Sequence, residues 1–450
     1  MDDATAQAWD ALAGRPELAG RVSYVGPPGL TSRLPVREVA RATVGVCSLA
    51  AAELLGQRRG GGLPAVRVDE GAVAVAFTSE RHLRVEGRPI PLFAALSRFW
   101  RTADGWVRTH ANYPHHRARL LAALQLPDTG DDDALVGPVS AVLAERHAVD
   151  VQELVHAAGG LAVAVAPPAA RDEALVAIDR AAAPEARSLR PASLPAEGVR
   201  VLDLTRVLAG PVASRTLGLL GADVLRVDAP WLREDEGTHI DTGFGKRSTR
   251  LALGEPADRA TFERLLASAD VLLLGYRPGA LDRFGLDGPA LRERRPDLVV
   301  ARLSAWGHLG PWSDRRGFDS LVQAGTGIAI AEQATDGRPG RLPAQALDHG
   351  TGYLLAAAVL RALTVRATDG VAHHLDLSLA ATAQWLLSTT ASRAEVGAAP
   401  QTPDRWLTTT GSPYGSLRHA RSPLGVAGVP TRWSRPPSRW GTDEPRWAVS

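Results

Sequence analysis

The stretch Val199–Asp228, VRVLDLTRVLAGPVASRTLGLLGADVLRVD, decides the fold. An apolar run, Val199–Leu204, ends ahead of a turn at Gly210-Pro211. A helical pattern follows over Val212–Leu220, and Gly221-Ala222-Asp223 leads into a second apolar run, Val224–Val227. Strand, loop, helix and strand within about 35 residues is the βαβ unit of a parallel sheet. Such sheets bind ligands beyond the carboxyl ends of their strands, which makes the loop Thr205–Pro211 a candidate site. The fingerprint G-x-G-x-x-G is absent, so the unit is not read as dinucleotide-binding.

Outward from this unit the pattern keeps alternating. Strands are expected at Asp270–Leu274 and Leu298–Arg302, with helices at Ala257–Ser268 and Gly288–Arg294. A long helix is expected over Gly352–Val365, then a strand at His373–Leu377 and a helix at Leu379–Leu387. This alternation predicts the α/β class: a doubly wound parallel-sheet large domain covered on both faces, with a smaller α+β domain. The Ala-, Pro- and Ser-rich stretch 181–198 reads as a linker. It divides an N-terminal unit, residues 1–180, from a large domain, 199–450, whose tail from about Ala398 is expected to run extended over the surface. The acidic run Asp131–Asp133 reads as a solvated loop. Ser48–Phe77 can be laid beside Leu354–Trp385 as a weak internal repeat: an Ala/Leu helix, a Gly-containing basic loop, a V-x-V-D or L-D-L strand, then another Ala-rich stretch.

Composition narrows the class. A chain of 450 residues has ample length for two or three domains and a large core. The net charge of +2, from 51 basic and 49 acidic residues, gives no electrostatic reason to expect a nucleic-acid partner. The one cysteine, Cys47, excludes an intramolecular disulfide framework and points to a reducing cytoplasm; it reads as a small buried apolar residue. No signal-peptide pattern opens the chain, and no apolar run reaches the ~18 residues of a membrane span, so no membrane partner is expected. His115-His116 and His373-His374 are adjacent pairs without the spacing or cysteine partners of a zinc site, so no metal is expected. The single lysine, Lys246, stands out against the arginines and is a candidate phosphate counter-charge, with Arg247 beside it.

Seven blocks carry a more specific signal. They are LTRVLAGP (Leu204–Pro211), LGADVLRVD (Leu220–Asp228), GKRS (Gly245–Ser248), ADVLLLGYRPGALDRFGL (Ala269–Leu286), SAWGHLGPW (Ser304–Trp312), GFDSLVQA (Gly317–Ala324) and ALDHGTG (Ala346–Gly352). In this order they closely resemble the family III CoA-transferases, the group that also contains α-methylacyl-CoA racemase. The resemblance implies a CoA-transferase moving CoA between an acyl-CoA thioester and a carboxylic acid, with coenzyme A as a substrate moiety and no cofactor. It assigns Asp348 as the nucleophile that forms a mixed anhydride. A carboxylate suits that role because it is ordinarily ionised at neutral pH. Gly350 and Gly352 are candidate main-chain donors to an oxyanion. The competing role for Asp348 is the N-cap of the following helix.

The resemblance further implies that Arg206, Val207, Leu208 and Ala209 touch the nucleotide and pantetheine, that Lys246 and Arg247 meet phosphates, and that Tyr276, Arg277 and Arg283 pack on the adenosine and its 3′-phosphate. Gly275 stands where the family commonly has Asn. Arg316 is a candidate for a phosphate or an acceptor carboxylate. His349 reads as a neighbour of Asp348, and Asp319 as a helix cap. Racemases carry a histidine before the acid of the GFDS block; this chain has Phe318, which cannot carry a proton and so favours transfer over racemisation. A racemase or epimerase and a non-catalytic CoA-ester binding protein are the alternatives.

Phe99–Leu124 and His147–Gly160 resemble the family's small domain, and Tyr414–Pro445 its returning tail. Because small-domain-like sequence precedes the large-domain core, the resemblance implies a fusion: a degenerate first copy joined to a second copy that lost its small domain. The family's interlocked dimers make a homodimer the expected assembly, with a self-contained single chain as the alternative.

Overall fold

The computed structural model describes residues 3–91, 93–169, 172–183, 189–390 and 402–448. A seven-stranded sheet organises it. From edge to edge its strands are Lys246–Arg250, Asp223–Asp228, Arg200–Leu204, Val271–Leu274, Val299–Ser304, Val371–Ser378 and Ala177–Ala182. Six run parallel and the last pairs antiparallel with Val371–Ser378. The strand order reverses between Arg200–Leu204 and Val271–Leu274, so a cleft opens beyond their carboxyl ends.

The core strands form where expected because they are apolar on both faces. Val201, Leu202, Val271, Leu272, Leu273, Val299 and Val300 are buried. On one face Leu202, Leu272 and Val300 pack on Phe262 and Leu291. On the other, Val201, Val271 and Val299 join a larger cluster that reaches from Ala4 to Val426. The expected linker 181–198 begins inside a strand, because Ala181 and Ala182 pair with Ala372 and Val371. Further along, Arg58 binds the carbonyls of Arg190, Pro195 and Glu197 at 2.8–2.9 Å, which ties that segment to the N-terminal unit.

Two long helices cross the middle of the larger cluster, Val36–Arg59 and Ala346–Asp369. Each is buried nearly all round, as a central helix of a large core must be. Val36–Arg59 is long and apolar enough by composition to cross a membrane, contrary to the expectation that no stretch would be, yet 89% of its most apolar window is buried inside the protein. Both helices stop at a left-handed glycine, Gly60 (φ 61°) and Gly370 (φ 64°). Each is followed by a strand and a shorter helix: Val66–Asp69 with Glu70–Ala76, and Val371–Ser378 with Leu379–Ser388. The two stretches aligned in sequence therefore fold with the same element order.

Residues 99–164 form a smaller α+β unit: the strands Phe99–Arg101 and Trp106–Thr109 around an Asp104-Gly105 turn, the strand Ala162–Ala164, and three helices. The acidic run is no loop. Asp131 caps the helix Asp132–Ala144 through the N–H groups of Asp133 and Ala134. The C-terminal tail forms a hairpin, Leu407–Ser412 with Gly415–Ala420, and then lies over the sheet's exposed edge, where Asp443 accepts from the Ser248 N–H at 2.7 Å.

Candidate active site

The first crossover loop is built from beneath. Asp203, at the end of its strand, is fully buried and accepts from the Thr205 N–H at 2.9 Å and from the hydroxyls of Thr205 and Ser214, both at 2.5 Å. Lys246 reaches Asp203 at 3.2 Å and Ser214 Oγ at 2.8 Å. Val207 then takes φ +66°, a conformation costing a β-branched residue ~1–3 kcal/mol. Its N–H is held by Glu234 Oε2 at 2.9 Å. Glu234 also binds Arg226 at 2.9 Å and the Tyr113 hydroxyl at 2.5 Å. Burial alone would raise this carboxyl, but the charges of Arg226 and Arg206 and the Tyr113 bond hold it at about 2. A permanently ionised acid thus clamps a strained loop.

That loop forms one wall of a cavity of about 750 Å³ at the strand-order reversal. Arg206, Val207, Leu208 and Ala209 line it, and Ala209 is the first residue of the crossover helix Ala209–Leu219, whose positive dipole end faces the space. The segment that follows the strand Val271–Leu274 contributes Tyr276, Arg277 and Arg283. Arg316 and Arg119 complete a group of cations; burial and the neighbouring Arg277 and Arg119 lower the Arg316 pKa, the signature of unneutralised positive charge. Arg206 is more engaged, lying 3.5 Å from Glu234 and 5.7 Å above the Tyr113 ring.

Asp348 lines the same cavity. It lies in the first turn of Ala346–Asp369 and is not the cap; that helix starts six residues before the expected Gly352. The cap comes from a distant segment. Asp319 Oδ2 accepts from the N–H groups of Leu347 at 2.9 Å and Asp348 at 3.0 Å, while Oδ1 accepts from the Gln323 amide. Asp319 therefore caps a helix other than the one it opens. Burial raises its pKa to about 6. Burial, then the charges of Asp319 and Glu80, raises Asp348 well above the carboxylate range. Asp348 is thus held toward its neutral form, against the expectation of a carboxylate ionised without help. His349, fully buried, stacks on Phe77 and lies 3.8 Å from Glu80 Oε2.

Phe318 lines the same cavity, with the His110 ring stacked on it at 3.8 Å. Burial, then the Arg108 charge, pushes His110 down to about 3, so this imidazole stays neutral. Among the described residues no group of three or more His, Cys, Asp or Glu is placed to hold a metal ion.

A model of CoA-transferase family III matches residues 196–420, half of the sequence. The chain belongs to CoA-transferase family III. Among curated relatives, the probable fatty acyl-CoA transferase Rv3272 of Mycobacterium tuberculosis is 36% identical over 41% of this chain and 50% of its own length. The succinyl-CoA--L-malate CoA-transferase beta subunit of Chloroflexus aurantiacus is 34% identical over 42% and 49%. The mouse succinyl-CoA:glutarate CoA-transferase is 31% identical over 50% and 54%. Among solved structures, that of Rv3272 covers 43% of this chain and 56% of its own at 36% identity and a TM-score of 0.41. A CAIB/BAIF family protein from Brucella suis covers 50% and 65% at 29% identity and 0.40. The chain spans about half the length of the curated relatives it matches.

The structure brings Asp348, Arg206–Ala209, Tyr276, Arg277, Arg283 and Arg316 to one cavity and removes four expected residues from it. Lys246 is buried under the crossover helix and supports Asp203, so it faces no phosphate. Arg247 pairs with Asp223 at 2.7 Å and with the Arg446 carbonyl on the sheet edge. Gly350 and Gly352 lie inside the long helix, where backbone N–H groups bond within the helix and are closed to an oxyanion. Gly352 instead permits close packing: a Cβ there would lie 2.5 Å from the Ala209 carbonyl. Sequence reasoning missed Tyr113, His115, His116 and Arg119, which the smaller unit delivers to the cavity. Their signal was NYPHHRAR, Asn112–Arg119, a cluster of aromatic and basic residues opening a helix.

Proposed function

We propose that the chain transfers CoA between an acyl-CoA thioester and a carboxylic acid, with Asp348 as the covalent centre. The carrying observation is that Asp348 and the crossover loop line one cavity together with a group of arginines. Arg277, Arg283, Arg316 and Arg119 would hold the phosphates, and guanidinium geometry suits them to it. The pantetheine arm would then run along Val207–Ala209 toward Asp348. One Asp348 oxygen attacks the thioester carbonyl, the C–S bond breaks, and CoA leaves as a thiolate, giving an acyl-aspartyl anhydride. The thiolate attacks the Asp348 carbonyl carbon, releasing the first acid and leaving an aspartyl thioester. The second acid's carboxylate displaces the thiolate to form a new anhydride. The thiolate finally takes the new acyl group, and Asp348 is regenerated.

Asp348 must lose its proton before the first attack. Asp319, ionising more readily, opposes that loss while fixing the turn that carries Asp348. The reactive ion is thus poised by burial rather than stabilised there. The sequence requires oxygen exchange through the protein. An acceptor acid labelled with ¹⁸O must leave label in the peptide containing Asp348. Turnover without label in that peptide would refute the anhydride.

Racemisation is disfavoured by Phe318 and by the low basicity of His110. Exchange of a substrate α-proton with deuterated water, in the absence of an acceptor acid, would reinstate it. We further propose a cytoplasmic homodimer. The repeated helix–strand–helix order supports the fused-copy origin, and sedimentation mass tests the assembly.

A further inference from the structure

A second chamber opens from the same junction. It encloses about 260 Å³, more than the ~150 Å³ in which an apolar protein cavity holds benzene. Tyr113, Val207, Leu208 and Phe318 line both spaces, so the two meet at the strained loop. Asp348 stands on the side of the large cavity. Gln345, one helical turn earlier, stands on the side of the chamber.

The chamber's wall combines two chemistries. Ile90, Pro91, Phe93, Ala94 and the Phe318 ring make an apolar surface. The charged residues are Glu80, Asp235 and Asp241, and no Lys or Arg lines the chamber among the described residues. Two of these acids are occupied: Asp241 binds Arg215 at 3.2 Å and Ser79 at 2.7 Å, and Asp235 caps a helix through Thr238 at 2.8 Å. Glu80 is compensated less closely. One of its oxygens is 3.6 Å from Arg81 and the other is 3.8 Å from His349; burial raises this carboxyl, but His349 and Arg81 hold it below the usual range, so it stays a carboxylate. His110, the remaining ionisable nitrogen base in the wall, is neutral and offers no counter-charge.

We propose that this chamber receives the body of the transferred acid, and that it selects acids with one carboxylate and an uncharged apolar body, of phenyl or branched-chain size, over dicarboxylates. The inference rests on the CoA-transfer reading of the large cavity. With the reacting carboxyl beside Asp348, a second carboxylate would enter the chamber desolvated, facing Glu80, with no cation to receive it. An apolar wall discriminates weakly between bodies of similar size, whereas an unpaired buried charge is rejected strongly. Charge, rather than length, is therefore the selected property.

The test uses the full chain with acetyl-CoA as donor and benzoate, isovalerate or glutarate as acceptor, following initial rates of thioester formation by mass spectrometry. Benzoate and isovalerate are expected to exceed glutarate at least tenfold in kcat/KM. In Phe93→Arg, at a half-exposed wall position, a guanidinium beside the chamber should narrow that ratio by raising the glutarate rate. Glutaryl-CoA formation by the unaltered chain as fast as benzoyl-CoA formation overturns the proposal. If no acid yields a thioester, CoA transfer itself fails, and equilibrium binding of the two thioesters then decides the chamber. Tighter benzoyl-CoA upholds the selection; equal or tighter glutaryl-CoA overturns it.

Discussion

Replacing Gly350 and Gly352 separately by alanine should move stability in opposite directions. Both lie inside the helix Ala346–Asp369, two residues apart, and alanine keeps the backbone N–H in each case. In a helix interior glycine costs ~0.5–1 kcal/mol relative to alanine, so each substitution starts with that gain. At Gly350 the new methyl would meet only Thr382 Cγ2 at 3.7 Å and Thr43 Cγ2 at 3.8 Å, ordinary contacts. The gain survives, and Gly350→Ala is stabilised by ~0.5–1 kcal/mol. At Gly352 the methyl would fall 2.5 Å from the Ala209 carbonyl oxygen and 2.9 Å from Val212 Cβ. Those atoms belong to the crossover helix and cannot swing aside. Overpacking costs ~1–3 kcal/mol, so Gly352→Ala is net destabilised by ~1–2 kcal/mol. Unfolding entropy near ~2.1 cal/mol/K per residue over 450 residues makes 1 kcal/mol worth about 1 °C in Tm. Thermal unfolding by calorimetry should therefore show a rise of about 1 °C for one variant and a fall of 1–2 °C for the other. Exchange activity should persist in Gly350→Ala and drop in Gly352→Ala, whose displaced Ala209 lies in the cavity wall. Shifts of the same sign in both variants would refute the packing argument.

Three further outcomes follow from the same geometry. Asp348→Asn should lose exchange by several orders of magnitude in a mass-spectrometric assay while still binding acyl-CoA; a near-unaltered rate would remove its covalent role. Asp319 is raised to about 6 by burial, above the ~3.9 of an unfolded chain, so its stabilising contribution is complete below about pH 4 and is lost as pH rises through 6. Asp319→Asn should flatten that slope, by up to ~3 kcal/mol, and should move the acid limb of the rate profile to lower pH, because Asp348 is relieved of a neighbouring charge. Lys246→Met leaves Asp203 buried without its cation and should destabilise the chain by ~3–5 kcal/mol, while the salt dependence of CoA binding stays that of the unaltered chain. A loss of salt dependence instead would restore Lys246 as a phosphate contact.

Much of the large domain was legible residue by residue. The strands Arg200–Leu204, Asp223–Asp228, Val271–Leu274 and Val299–Ser304 begin and end within two residues of the expected limits, because each is a short apolar run that must be covered on both faces. The strand Lys246–Arg250 was not legible. KRSTR has no apolar alternation; it pairs with Asp223–Asp228 at the sheet edge and is covered by the tail, a segment almost 200 positions away. The long helix was placed but started late, since the acid that caps it, Asp319, arrives from another segment.

The candidate site divides along the same line. Local order placed Arg206–Ala209 and Tyr276–Arg277 at the ends of adjacent parallel strands, and the resemblance to the family's blocks singled out Asp348. These are properties of short windows, where side-chain spacing and backbone preference act within a few residues. The direction in which a buried side chain points is set by what packs against it. The turning of Lys246 onto Asp203, the sealing of Gly350 within a helix, the pairing of Asp319 with Asp348 and the delivery of Tyr113 and His110 to the cavity were decided only when distant segments closed around one core.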